Sequence, residues 1–130
     1  MSSPDPAAVE LAHRMFDLAR AGDAATLAAY VDAGVPADLT DAAGNTLVML
    51  GAYHGHAEVV RALAGRGADV GRANDRGQTP LAGAVFKGEL EVVDELLAAG
   101  ADPAAGTPSA LDTARMFGQD DLVRRFTDAP

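Results

Sequence analysis

The stretch from Asp41 to Asp69 decides the fold. It is DAAGNTLVMLGAYHGHAEVVRALAGRGAD, and thirty-three residues later the chain has NDRGQTPLAGAVFKGELEVVDELLAAGAD, from Asn74 to Asp102. Glutamate–valine–valine and glycine–alanine–aspartate triplets coincide at this offset, together with single threonines, leucines and glycines. A fixed period of this length is typical of repeat proteins, in which each unit packs on its neighbours.

The first half of each unit has the pattern of a short, capped helix. Thr46 and Thr79 suit the residue before a helix, where a side-chain oxygen accepts hydrogen bonds from the first unpaired amides. We expect this helix to end near Tyr53 in one unit and Phe86 in the next, since a glycine follows two residues later in both. Glycine commonly ends a helix because it adopts a positive φ at little cost.

The second half of each unit predicts another helix and then a long loop. This helix is expected to end near Ala64 and near Leu97, three residues before Gly67 and Gly100. A positive φ is expected at both glycines. The polar, glycine-containing segment that follows predicts an extended loop with a tight turn.

The flanking segments carry weaker forms of the same pattern. Gly22 stands one period before Gly55, and Gly118 stands thirty residues after Gly88, so the last loop is shorter. Ser109 takes the place of the capping threonine. Terminal units of repeat proteins are atypical because one of their faces meets water. We therefore count four units, of which the first and last are caps.

These features resemble the ankyrin repeat family, whose pattern is matched best by GQTPLAGAVFKGELEVVDELLAAGAD. The resemblance implies an all-α ankyrin-repeat solenoid of about four helix–turn–helix units joined by β-turn loops. We expect a single domain over residues 1–130, with units at about 7–37, 38–70, 71–103 and 104–127 and a loose tail at 1–5. The family's usual histidine after Thr-Pro-Leu is Met49 in one unit and Ala82 in the next. Because that histidine normally ties the loop, these loops are expected to be less rigid.

Composition excludes several classes of function. The net charge is −9, so nucleic acid and anionic membrane are poor partners. There are no cysteines, which excludes disulfides, thiolate catalysis and cysteine-ligated metal. No stretch has the length and apolarity of a membrane span, and the N-terminus lacks a secretory signal pattern. We expect a cytoplasmic protein, and the abundant alanine, glycine and arginine favour a bacterial source.

Three short patterns are candidates for reactive sites, but each favours a structural interpretation. His54 and His56 could form a metal pair, but Gly55 at a helix turn is expected to make their rings diverge. GRGADVG, from Gly65 to Gly71, follows a helix, whereas a phosphate loop follows a strand. GQDDLVRRF, ending at Phe126, suits helix capping by its acids. No nucleophile elbow or ordered triad is visible, so we expect neither an enzyme nor a cofactor.

The resemblance implies a binding surface on the concave side, formed by loop tips and the exposed ends of the first helices. Carried over by position, it comprises Ala42, Ala43, Asn45, Tyr53 and His54 in one unit and Asp75, Arg76, Gln78, Phe86 and Lys87 in the next. Arg20 and Met116 are expected to extend the row of Tyr53 and Phe86, whose rings either anchor a partner or pack between units. Asp17 is expected on the outer face.

The leading hypothesis is a non-catalytic, monomeric module that binds a partner protein through this surface. One alternative is a stoichiometric regulatory or inhibitory subunit of an enzyme. Another is a binder of a small ligand or metal that uses the histidines. The sequence does not identify the partner.

Overall fold

The computed structural model describes residues 5–128, and within them helices account for nearly all regular structure. The elements are α1 (Pro6–Ala21), α2 (Ala24–Asp32), α3 (Leu47–Tyr53), α4 (Ala57–Ala64), α5 (Pro80–Lys87), α6 (Leu90–Ala98), α7 (Ala110–Met116) and α8 (Asp120–Asp128). The β pairing in this part of the chain consists of two isolated bridges, Thr40 with Thr46 and Gly106 with Ser109. The predicted all-α architecture is confirmed. No helix of residues 5–128 is both long enough and apolar enough to cross a membrane.

Side-chain caps determine where the first helix of each pair begins. Thr46 accepts a hydrogen bond from the amide of Met49 at 3.0 Å, and Thr79 accepts one from Ala82 at 3.2 Å. Ser109 and Asp5 make the equivalent caps of α7 and α1. Each cap satisfies an amide that the helix itself leaves unpaired. Asp5 is therefore part of a helix cap and not of a loose tail, and residues 1–4 of the predicted tail lie outside the described residues.

The helix ends agree with the prediction to within one residue. α3 ends at Tyr53 and α4 at Ala64, while α5 and α6 each extend one residue beyond the expected end. Gly67 has φ 84° and Gly100 has φ 92°, so both have the expected positive φ. A side chain at either glycine would meet no other atom within 4 Å, so the backbone conformation alone requires glycine there.

The helices stack in two rows. The first helices of the units pack in the order α1, α3, α5, α7, and the second helices α2, α4 and α6 pack in a parallel series behind them. Small aliphatic side chains fill the space between the rows, and the fully buried ones include Leu27, Leu47, Leu63, Leu81 and Leu96. Because these leucines come from successive units, the core is continuous along the stack.

Ion pairs link the second half of each unit to the second half of the next. Arg66 lies 2.9 Å from Asp32, Arg61 lies 2.5 Å from Glu95, and Arg125 lies 2.8 Å from Asp94. The hydrogen bond from Arg66 lowers the pKa of Asp32, and the bond to Glu95 raises the pKa of Arg61. Each pair has at least one exposed side chain, so each is expected to contribute little to the free energy of unfolding. Their main effect is to favour the observed alignment of neighbouring units.

Candidate functional site

Aromatic side chains line the exposed ends of the first helices. Tyr53 at the end of α3 is 39% exposed, and Phe86 near the end of α5 is 58% exposed. Phe117, directly after α7, is 52% exposed and meets Phe86 edge-on with ring centroids 5.7 Å apart. These three residues form what we call the aromatic row. The sequence leaves open whether Tyr53 and Phe86 face a partner or pack between units. In the structure both rings are partly exposed to solvent.

A small pocket opens beside the aromatic row. Its volume is about 130 Å³, and its lining residues are Met49, Tyr53, Gln78, Ala82, Gly83, Phe86, Pro108 and Thr113. Met49 and Ala82 are only 5% and 6% exposed. They occupy the positions where the ankyrin pattern has histidine, so two apolar side chains line the pocket instead of polar ones.

Lys87 and His54 both pack against the Tyr53 ring of the aromatic row. The Lys87 amine lies 4.9 Å from the centroid of the Tyr53 ring, within the range of a cation–π contact. His54 packs edge-on against the same ring at 5.7 Å. Burial lowers the pKa of His54, and the positive charges of His56, Arg20 and Lys87 lower it further. Lys87 is therefore a cation at the aromatic row of a chain whose net charge is −9.

The two histidines of the H-x-H pattern have different partners. His56 Nε2 donates a hydrogen bond to the carbonyl oxygen of Arg20 at 2.8 Å, which fixes the proton on that nitrogen because a carbonyl only accepts. Its Nδ1 lies 3.6 Å from the carboxylate of Glu58. His56 thus ties α1 to the start of α4, whereas His54 faces Tyr53. Within residues 5–128 no group of three or more histidines, aspartates or glutamates is placed to hold a metal ion.

The side chains of Asp41 and Asn74 hold the loop tips. The Asp41 carboxylate accepts from the amides of Ala43 and Asn45, and the Asn74 side-chain oxygen accepts from the amides of Arg76 and Gln78 at 3.0 Å. The loops are therefore held by their own side chains, and the prediction that they are less rigid stays untested.

Hydrogen bonds also join one loop to the next. The Asn74 amide group donates to the side-chain oxygens of Asn45 and Gln78, both at 2.9 Å. The backbone amide of Asp75 donates to the carbonyl of Ala43 at 3.0 Å. Of the expected binding residues in the loops, Asn45 and Gln78 belong to this network, while Ala42, Ala43, Asp75 and Arg76 are exposed.

The ends of the expected row differ from the sequence hypothesis. Met116 is 70% exposed, but Phe117 beside it, which was not predicted, makes the ring contact with Phe86. Asp17 was expected on the outer face and instead lies 3.2 Å from Arg20, lining a cleft with Ala42 and Ala43. It therefore belongs to the same side of the molecule as the loop tips.

The remaining two patterns have structural roles. GRGADVG begins directly after the last residue of α4, and its Arg66 makes the ion pair with Asp32. In GQDDLVRRF, Asp120 and Asp121 lie in the first turn of α8, and Arg124 pairs with Asp121. Acidic side chains at a helix N-terminus are favoured by the helix dipole.

Comparison with known proteins places the repeat in a family. Residues 15–107 match the family model described as ankyrin repeats (3 copies). The chain is 45% identical over 52 residues to an ankyrin repeat protein of Pseudomonas aeruginosa, covering 40% of this chain and 30% of that protein. It is 36% identical over 90 residues to the transient receptor potential cation channel subfamily A member 1 homolog of Caenorhabditis elegans, covering 68% of this chain and 7% of that protein. A protein fem-1 homolog A-like of Mus musculus is 41% identical over 54 residues, 42% of this chain and 8% of that protein.

The chain spans less than a third of the length of each of these relatives, so the likeness concerns the repeats and not the whole proteins. The family match covers well over half of the chain. It includes α3 to α6, where the thirty-three-residue period is clearest. Repeats of this kind are protein–protein interaction modules. By its period, its stacked helix pairs and this match, the chain belongs to the ankyrin repeat family.

Proposed function

We propose that the chain is a non-catalytic module that binds a partner protein through the aromatic row, the adjacent pocket and the exposed loop tips. The observation that carries this proposal is the exposure of Tyr53 and Phe86 at one pocket, with the exposed ring of Phe117 packed against Phe86. Aromatic side chains are the usual anchors of protein interfaces, because each contributes a large contact area at a low entropic cost. A chain with only 5% aromatic residues presents half of its six tyrosines and phenylalanines here.

The size of the pocket favours a side chain of a partner over a small ligand. Its volume is about 130 Å³. Pockets for small molecules usually have about 300 to 1,000 Å³. A cavity of about 150 Å³ holds one benzene ring. The pocket therefore suits a single leucine, methionine or phenylalanine side chain from a protein.

Charge favours the same class of partner. A chain with a net charge of −9 is repelled by the phosphates of nucleic acids and of anionic lipids. The proposal thus includes a protein partner, and neither nucleic acid nor membrane. We further propose that the module acts as a cytoplasmic monomer, as expected from its sequence.

The test compares three forms of the protein as bait in extracts of the source cell. The double variant Tyr53→Ala, Phe86→Ala removes two anchors, each of which contributes about 2 kcal/mol or more if it is central to an interface. Glu91→Ala, an exposed residue on α6, is the control. The expected result is that mass spectrometry finds a stoichiometric partner with the wild type and the control but not with the double variant.

Circular dichroism and thermal denaturation accompany this test. Since neither Tyr53 nor Phe86 belongs to the buried core, the double variant is expected to keep its helix content and to melt cooperatively. If it unfolds, the rings serve the core and the proposal fails. If it folds and captures the same partner with undiminished yield, the site lies elsewhere, and the tips at Asp75 and Arg76 are the next surface to test.

A further inference from the structure

We propose that the partner segment presents one apolar side chain close to one carboxylate, the first filling the pocket beside the aromatic row and the second pairing with Lys87. This inference deepens the proposed function and depends on it, because it concerns the same surface. It names a partner chemistry that the sequence hypothesis leaves open.

The apolar half of the inference follows from the pocket walls. Met49 and Ala82 are almost completely buried, and the rings of Tyr53 and Phe86 stand on either side as exposed walls. Transfer of an apolar side chain from water into such a site is favourable in proportion to the area removed from water. A charged side chain would lose its hydration there without a charged partner among the lining residues.

The acidic half follows from the unpaired charge of Lys87. It is the only lysine of the chain, it is exposed, and no carboxylate of residues 5–128 lies within 4.0 Å of its amine. An ammonium has three donors, and the ring of Tyr53 leaves those that face solvent available to an acceptor.

Two of the carboxylates on neighbouring first helices are already paired. Asp17 lies 3.2 Å from Arg20 on α1, and Asp112 lies 3.9 Å from Arg115 on α7. Burial lowers the pKa of His54 beside the Tyr53 ring, and the charges of His56, Arg20 and Lys87 lower it further. A carboxylate that approaches Lys87 therefore meets an unpaired cation on a chain whose net charge is −9.

The spacing of the two groups limits the partner further. Tyr53 is both a wall of the pocket and the ring beneath the Lys87 amine, 4.9 Å from its centroid. The apolar side chain and the carboxylate must therefore be neighbours in the partner. On a helix, residues three or four apart have Cβ atoms about 5–6 Å apart and meet this condition. The expected partner sequence has leucine, methionine or phenylalanine three or four residues from aspartate or glutamate.

The experiment selects random twelve-residue peptides displayed on phage against the folded wild-type protein. A background selection uses the Tyr53→Ala, Phe86→Ala variant. The affinity of the most enriched peptide is then measured by fluorescence anisotropy for the wild type and for two charge reversals. Lys87→Glu changes the proposed contact, and Arg72→Glu changes the net charge equally on an exposed loop that does not line the pocket.

The inference predicts enriched peptides with an apolar and an acidic residue at the stated spacing. Lys87→Glu weakens the selected peptide about tenfold, while Arg72→Glu changes its affinity less than twofold. Replacing the acidic residue of the peptide by lysine weakens binding to the wild type and restores part of the binding to Lys87→Glu. Such a swap isolates the pairing itself from other effects of either change.

Each contrary outcome has its own meaning. If the peptides carry apolar residues without an acid, or both charge reversals weaken them equally, the acidic half is wrong while the pocket stands. If the peptides bind the Tyr53→Ala, Phe86→Ala variant as tightly as the wild type, the proposed function fails with the inference. If no peptide is enriched over the background selection, a segment of this chemistry is not the ligand, and the capture experiment decides the proposed function separately.

Discussion

Two glycines on neighbouring first helices are expected to respond in opposite ways to the same substitution. Gly83 lies inside α5 and lines the pocket, and Gly51 lies inside α3 against the second row of helices. An added Cβ at Gly83 would lie 3.5 Å from Met49 Cε and 3.7 Å from Tyr53 Cδ2, which is ordinary contact. At Gly51 it would lie 2.5 Å from Val59 Cγ1 and 2.9 Å from Val59 Cβ.

The magnitudes follow from these distances. Alanine is favoured over glycine inside a helix by about 1 kcal/mol, so Gly83→Ala raises the free energy of unfolding by about that amount. For a chain of this size, this corresponds to a melting temperature higher by about 4 °C. At Gly51 the same gain is opposed by overpacking, which costs about 1–3 kcal/mol because Val59 is fully buried. Gly51→Ala is therefore expected to melt below the wild type.

The assay is thermal denaturation of the three proteins, monitored by circular dichroism. Binding of the partner or of the selected peptide is then measured for Gly83→Ala. The added methyl takes up room in the pocket, and one methyl group changes binding in an apolar site by about 1–3 kcal/mol. If the variant is more stable and yet binds at least about tenfold more weakly, the loss of binding comes from the pocket and not from a destabilised fold.

The repeat pattern and the packing distances make opposite predictions for Gly51→Ala. Ala84 stands thirty-three residues after Gly51, so the repeat pattern by itself predicts that alanine is tolerated at position 51. The distances to Val59 predict the opposite. If Gly51→Ala melts as high as Gly83→Ala, the inference that α3 packs too closely on α4 to admit a methyl group at position 51 is wrong. If Gly83→Ala binds as the wild type does, the pocket is not the anchor site.

Two further predictions concern the helix ends and pH. Gly67→Val and Gly100→Val should each lower the free energy of unfolding by at least about 1 kcal/mol, because both positions have positive φ; unchanged melting temperatures in both variants would refute this. His54 should show a pKa below its usual value in an NMR titration, because burial and the nearby cations disfavour its charged form. As the pH falls, the unfolded chain takes up this proton first, so stability declines as the pH drops through about 6.5. His54→Asn should lack this part of the decline, and an identical decline in the variant contradicts the assignment.

The sequence predicts the fold well because its determinants are local and repeated. Capping by Thr46 and Thr79 needs only a hydroxyl and an amide three residues away. A positive φ at Gly67 and Gly100 is likewise a property of one residue. Because the pattern recurs after thirty-three residues, a helix pair that forms in one unit is expected to form in the next. No long-range contact has to be known for any of these inferences.

The binding surface is predicted less completely because it depends on distances between units. Phe117 was missed since the last unit is three residues shorter, and only the stacked helices bring its ring to Phe86. A single signal was available: counting thirty residues instead of thirty-three places Phe117 opposite Lys87. Asp17 was misplaced because α1 has a neighbouring first helix on one side alone, so periodicity does not determine which way its polar residues face.

Fold and candidate site use different residues, and this separation makes the tests informative. The unit junctions depend on leucines and valines with no exposed surface, whereas the aromatic row and Lys87 are exposed at the ends of α3, α5 and α7. Met49 and Ala82 connect the two groups. They are buried like the core, yet they line the pocket at positions where the family has a histidine that ties the loop. Asp41 and Asn74 hold the loops by hydrogen bonds of their own, while Met49 and Ala82 supply apolar surface to the pocket.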